Sequence, residues 1–437
     1  MRTRDDGRAW LSVAAVIGSV AWAGNEFTPL LVMYQLHSGF TTLEVNVLFG
    51  AYVLGIIPAL LVGGPVADRV GRRPVLVPAP LLAMAGSLAL ALFPGSLAAL
   101  LVGRLLCGAA LGLAMAVGST WIKELSQAPW DPTADAGAGA RRAATTLSLG
   151  FGTGALVAGV IAQWGPAPTL LPYLVTIGVI APAMAWMLRR APETQRRAVL
   201  STAHSRSRSR FALLAEEGVD PRVRRQFLLV VAPAAPWVFG CAGTAYAILP
   251  TQLRPAASGL EIAYSTLTCV VGLGLGVGVQ PLVRRLDRAG GRHMLVAGLG
   301  VAVLGMLLAA FALAAPGADG AGSTATALWR GVIAAAVLGT GYGTLLVSGL
   351  QIVQRIAPPG RLAAFTAVYY GLTYLGFFMP AVLSAITLAT PATHPGLMVT
   401  GAVLALVTGA WVWVASARLR TVPTPAEPRA EAEPQPA

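Results

Sequence analysis

Apolar and polar positions along the chain alternate on the scale of a bilayer. Predominantly apolar runs of about 20 residues, the length a helix needs to cross the hydrocarbon core, fall near 9–34, 45–67, 75–93, 97–122, 142–163 and 169–189. Six more follow near 227–250, 261–283, 294–315, 327–350, 362–388 and 397–417. Strands span lipid only as a closed barrel, and the period-2 alternation that a barrel requires is absent, so the spans are predicted to be helices. The expectation is an all-α membrane protein with about twelve transmembrane helices, a six-helix bundle at 1–190 and another at 226–418. Between them, 191–225 reads as a solvated linker with a short surface helix around Phe211–Glu217, and 419–437, rich in Pro, Ala and Glu, reads as a disordered tail.

Composition agrees. The chain is 56% hydrophobic and 11% charged, against about 25% charged residues in soluble domains. The net charge of +13 does not point to nucleic acid, because no basic face interleaves with aromatics. The arginines instead sit between spans: Arg2, Arg4 and Arg8; Arg69, Arg72 and Arg73; Arg141 and Arg142; Arg284, Arg285, Arg288 and Arg292. The alternate loops (36–44, 94–96, 164–168, 316–326 and 389–396) hold no Lys or Arg, and Arg254 is the exception in 251–260. By the positive-inside rule both termini are cytoplasmic, in an inner or plasma membrane. The run after MRTRDDGR is too long for a signal peptide and reads as a retained first helix. Cys107, Cys241 and Cys269 lie in apolar spans and imply no disulfide framework. No enzyme activity and no cofactor are expected: there is no nucleotide-binding G-x-x-x-x-G-K-[ST] loop, and four scattered histidines form no metal-ligand spacing.

Sliding the chain by 219 residues lays ADRVGRRPVL (67–76) over LDRAGGRHML (286–295), and AGNEF (23–27) over AGTAY (242–246). The two halves are therefore an internal repeat, a build in which substrate lies between halves near the midplane. GPVADRVGRRPVL (64–76) resembles the loop 2–3 signature of the major facilitator superfamily, G-x-x-x-D-R-x-G-R-R, and the resemblance covers about 9 to 418. It implies two pseudo-symmetric six-helix bundles working by alternating access, as a monomer. The implied conformational-switch motif is Gly64, Asp68, Arg69, Gly71, Arg72 and Arg73, echoed by Asp287, Arg288 and Arg292. Gly64 is expected to let the second helix approach a neighbour closely. RLLCGAALG (104–112) resembles the helix 4 signature, and Ala-Pro-Glu-Thr at 191–194 resembles the end of helix 6 in drug:proton antiporters. GFGTGALVAG (150–159) departs from the antiporter helix 5 pattern: Ala155 stands in place of proline, and Gly159 comes one residue late.

Candidate chemistry is sparse. Glu26 is the carboxylate farthest from any span end, whereas Glu44, Glu124 and Glu261 sit at helix edges. An acid at that depth costs about 2.5–3.5 kcal/mol on insertion scales, so a role as proton-coupling group is expected, with an organic cation competing for it. Some drug antiporters of the superfamily likewise carry an acid in helix 1. The bland alternative is a protonated Glu bonded to a neighbouring helix. Arg104, also within a span, is either a structural ion-pair partner or part of the coupling. Asn25, Tyr246, Tyr370 and Tyr374 are possible cavity-lining residues, with Tyr370, Tyr374 and Phe378 forming one stripe at i, i+4 and i+8; such a stripe serves equally as packing. The expected function is proton-coupled export of small amphipathic or cationic molecules, with a small-molecule substrate, protons and the lipid bilayer as partners and no nucleic acid. The rivals are a proton-coupled uptake symporter and a non-transporting sensor or scaffold.

Overall fold

A computed structural model describes residues 7–135, 137–194, 220–287, 292–314, 321–358 and 361–418. Arg288, the expected helix at Phe211–Glu217 with most of the connecting segment, and the 419–437 tail lie outside the described residues. Among the described residues, eleven helices are long and apolar enough to cross a membrane. The first pass is the exception, being split into α1 (Trp10–Asn25) and α2 (Phe27–His37). The cause is Pro29, which has no N–H to offer the carbonyl of Asn25 four residues earlier. Glu26 at the join keeps helical dihedrals and bonds back to the Trp22 carbonyl, so the two segments run on as one rod.

The remaining passes of the first half are α3 (Thr42–Val70), α4 (Arg72–Leu92), α5 (Leu97–Leu125), α6 (Ala138–Trp164) and α7 (Leu171–Arg190). The second half comprises α8 (Pro221–Gln252), α9 (Glu261–Leu286), α10 (Arg292–Ala314), α11 (Thr324–Ile356), α12 (Ala364–Ala389) and α13 (His394–Arg418). Local sequence fixes several starts. Thr41 and Glu44 form a reciprocal capping box at α3, and Ser96 caps α5.

Between helices in lipid the drive is close packing rather than expulsion of water, so small residues mark the crossings. Helix α3 lies along α5, and α1 lies on α6 and α7. A Cβ on Gly108 of α5 would come within 2.0 Å of the Tyr52 carbonyl of α3; only glycine permits that approach. In the second half α10 packs on α11 and α13, and α9 packs on α11. The halves meet where α3 touches α12, and where α6 and α2 touch α9.

Candidate functional site

Glu26 is fully buried, at 0% exposure. The Ser87 hydroxyl of α4 donates to its Oε1 at 3.1 Å, and the Thr176 hydroxyl of α7 donates to its Oε2. Thr176 in turn accepts the indole N–H of Trp22 at 2.8 Å. The carboxyl therefore points into the first half, away from the second. Its neighbour on the chain points in a different direction, about 100° round the helix. The Asn25 amide donates to the Phe151 carbonyl of α6 at 3.1 Å and lies 3.8 Å from Cys269 Sγ of α9.

Arg104 of α5 is 1% exposed. Its guanidinium sits 4.3 Å from the ring centres of both Phe27 and Tyr52, a sandwich of cation–π contacts. Nε donates to the Leu48 carbonyl at 3.2 Å, while Nη1 and the Tyr52 hydroxyl have no hydrogen-bond partner among the described residues. Among the described residues Arg104 makes no salt bridge; two aromatic faces and one carbonyl surround its guanidinium, and Glu26 lies near enough to interact with it electrostatically. A buried guanidinium with an unused donor is costly unless something else supplies an acceptor.

The aromatic lining differs from the expected stripe. Tyr374 stacks on Phe239 at 4.6 Å, and Phe239 stacks on Phe377 at 4.4 Å. Phe49 of α3 meets Phe377 edge-on at 4.9 Å, and the Tyr374 hydroxyl reaches Met115 Sδ of α5 at 3.1 Å. Phe377, not Phe378, shares the face of Tyr374. Pro380 deprives the Gly376 carbonyl of its helical donor, the segment Leu375–Phe378 tightens into a 3₁₀ turn, and the register rotates. Phe378 packs instead toward Gly50. Tyr370 is half-buried beside Tyr369, and Tyr246 is buried within the second half against Gly272.

At the arginine-rich end, the 64–76 hairpin is knotted by charge. Arg72, 5% exposed, donates to Asp68 Oδ1 at 2.7 Å and to Glu124 Oε1 at 2.7 Å. Glu193, from the Ala-Pro-Glu-Thr segment, caps the start of α4 by accepting the backbone N–H groups of Arg72 at 3.0 Å and Arg73 at 2.9 Å. Gly71 makes the turn at φ +104°, and a Cβ there would stand 2.9 Å from the Glu193 carboxylate. Arg73 also reaches the Leu188 carbonyl, and Arg69 is exposed. Gly64 differs from expectation: a Cβ there would meet nothing within 4 Å, so no neighbour is packed against it. Glu193 is a residue that sequence reasoning passed over; its signal was the 191–194 segment itself. In the second hairpin, Asp287 pairs with Arg355 at 3.3 Å, and Arg292 lies 4.9 Å over the Trp413 ring.

At the arginine-free end, hydrogen bonds cross between halves. Asn46 of α3 donates to Ser384 of α12 at 2.8 Å. Gln163 of α6 brackets the start of α9, accepting the Ala263 N–H at 2.8 Å and donating to the Gly259 carbonyl at 3.0 Å.

Two helical halves meeting around a shared centre, each with a charged hairpin at one end, are the architecture of a membrane transporter. The sequence profile of the Major Facilitator Superfamily matches residues 11–381, and the chain belongs to that superfamily. A POT family transporter in complex with 5-aminolevulinic acid is similar in fold, with a TM-score of 0.76 at 13% identity over 94% of this chain and 97% of that one. The nucleoside transporter NupG is similar at 0.67 and 13%, over 95% and 99%. In sequence, facilitated glucose transporter member 10 of solute carrier family 2 from Homo sapiens is 39% identical over 95 residues, 22% of this chain and 17% of that protein. The chain thus matches less than a fifth of that relative's length.

Proposed function

We propose that the protein is a proton-coupled secondary transporter in which Glu26 takes up and releases the coupled proton. One observation carries this reading. A carboxyl at 0% exposure is held by two neutral hydroxyls from α4 and α7, with no ion pair to Arg104. Neutral donors do little to offset the cost of a buried charge. Ionisation of Glu26 is therefore tied to how far the first half opens to water. Within the first half, Arg104 and Tyr52 offer a guanidinium nitrogen and a phenol without a hydrogen-bond partner among the described residues, which suits a small substrate bearing a carboxylate better than a cation. Symport of proton and substrate is the direction this favours. Export of amphipathic cations, supported by the Ala-Pro-Glu-Thr resemblance, is the second reading; there a cation would have to displace Ser87 or Thr176 from Glu26.

Orientation belongs to the same proposal. The arginine-rich end faces the cytoplasm by the positive-inside rule, so the Asn46 and Gln163 bonds close the outer face, and the open space at Gly64 lies on the inner side. Two measurements test the proposal. Proteoliposomes under an inward proton gradient should accumulate a carboxylate substrate, and Glu26→Gln should retain downhill exchange without accumulation. Accumulation by Glu26→Gln equal to wild type would remove Glu26 from the coupling. A cysteine at Ser96, exposed at the turn before α5, should react with an impermeant reagent applied outside intact cells; protection there would invert the orientation.

A further inference from the structure

The geometry points to a binding site for one anionic phospholipid on the outer flank of the first half, separate from the centre between the halves. A groove of about 610 Å³ runs between α1, α6 and α7. Its floor is made of small residues, Ala14, Ala15 and Gly18 on α1 and Gly150 on α6. A Cβ on Gly150 would come within 2.3 Å of the Gly18 carbonyl, so α1 and α6 meet backbone to backbone and the floor carries no bulky side chain there. Trp10 marks one end of the groove and Trp22 the other. Twelve residues of helix separate them, a rise of about 18 Å. One leaflet's share of the hydrocarbon core is about 15 Å, so the groove is as long as one acyl chain in a single leaflet.

Its mouth suits a phosphate. Arg141 and Arg142 line it, and the Arg142 guanidinium lies 4.5 Å over the Trp10 ring. Arg8, Arg189 and Arg190 lie within about one turn of lining residues. Among the described residues two aspartates bond to these arginines, Asp131 to Arg142 and Asp135 to Arg141. The Arg141–Asp135 pair is exposed on both sides, at 61% and 63%. An exposed pair of that kind is weak and yields readily to another anion. A headgroup phosphate held at Arg141 places a chain over Gly18 and Leu149, with its end near Trp22 and Thr153. A zwitterionic lipid fits the groove equally but gains less from the mouth.

Native mass spectrometry of the full-length, detergent-solubilised protein tests this, using phosphatidylglycerol and phosphatidylcholine of identical chains. One phosphatidylglycerol should survive activation that strips phosphatidylcholine, with a preference of about fivefold for each arginine at the phosphate. Thr145 lines the groove and is exposed. Thr145→Phe should fill the space and abolish the retained lipid. Arg141→Gln should leave phosphatidylcholine binding unchanged and bring phosphatidylglycerol close to it. Equal retention of both lipids by wild type, or undiminished phosphatidylglycerol in both variants, would overturn the site. Neither result depends on Glu26 or on transport.

Discussion

The two halves share a fold but differ in where their buried polar groups bond. In the first half such groups reach across helices: Ser87 and Thr176 to Glu26, Trp22 to Thr176, Arg104 to Leu48, and Tyr34 to Tyr173 at 2.8 Å. In the second half the buried hydroxyls of Thr244, Thr251, Thr266 and Ser348 turn back to carbonyls four residues earlier on their own helix, while Tyr369 and Tyr264 reach across to backbone carbonyls of α11. The position matching Glu26 is Ala245, at 0% exposure. Arg330 spends its charge against the Phe311 ring at 4.2 Å. In the first half the hydroxyls of Ser87 and Thr176 gather on one buried carboxyl and so tie α1, α4 and α7 together at Glu26.

That contrast is open to direct attack. Glu26→Gln should have the largest effect, lowering uphill transport by roughly two orders of magnitude or more, the scale of losing a proton-transfer group, while substrate counterflow persists. Next comes the reverse graft. Ala245→Glu puts an acid where the neighbouring Thr244 hydroxyl is already committed to Gly240, and should destabilise the protein by about 3 kcal/mol in thermal unfolding. A neutral result would mean that the second half holds donors able to take an acid.

The hairpins give the next step down. Arg72 is 5% exposed between two carboxylates, whereas Arg355 is 44% exposed with one. Arg72→Gln should cost about 2 kcal/mol and Arg355→Gln about 1 kcal/mol. Equal costs would show that the two hairpins are energetically alike despite their reversed wiring. The smallest effect belongs to Asp135, whose hydrogen bonds from Arg141 and from the Gly137 N–H hold its carboxyl well below the usual range, at about 2. A depressed acid contributes stability above its unfolded value of about 3.9 and loses it as pH falls toward the folded one. Because the pair is exposed and screened, Asp135→Asn should shift the melting midpoint by less than about 1 °C at pH 7. The shift should shrink as pH falls below about 4 and vanish only once pH has passed below the folded value of about 2.

Much of this was legible in the sequence. Lipid makes composition informative, so the spans, the two-bundle plan and the isolation of Glu26 could all be read from where charges fall. The hairpin was readable because its glycine and charges are spaced for a turn. The partners of Glu26 were not. Ser87 and Thr176 are ordinary hydroxyl residues inside apolar runs, 61 and 150 positions away, and nothing local distinguishes them from hydroxyls bonded to their own helix. The use of Glu193 as a cap on α4 depends on an encounter across 120 positions. Two departures did have a local signal: Pro29 splits the first pass, and Pro380 turns Phe377 into the place expected for Phe378. In each case the proline was present, and its missing N–H was the clue.

The distances in sequence between Glu26 and its two donors also set an order of assembly. The first pass leaves the ribosome carrying a carboxyl that costs about 2.5–3.5 kcal/mol to seat in a membrane. Ser87 is 61 residues behind it and Thr176 150 residues behind. Until α7 is synthesised, the first pass lacks the Thr176 hydroxyl that completes the pair of donors to Glu26. The first half is therefore bound to mature as a unit, its opening segment secured by its closing one, and a chain interrupted before Thr176 should present that segment to membrane quality control.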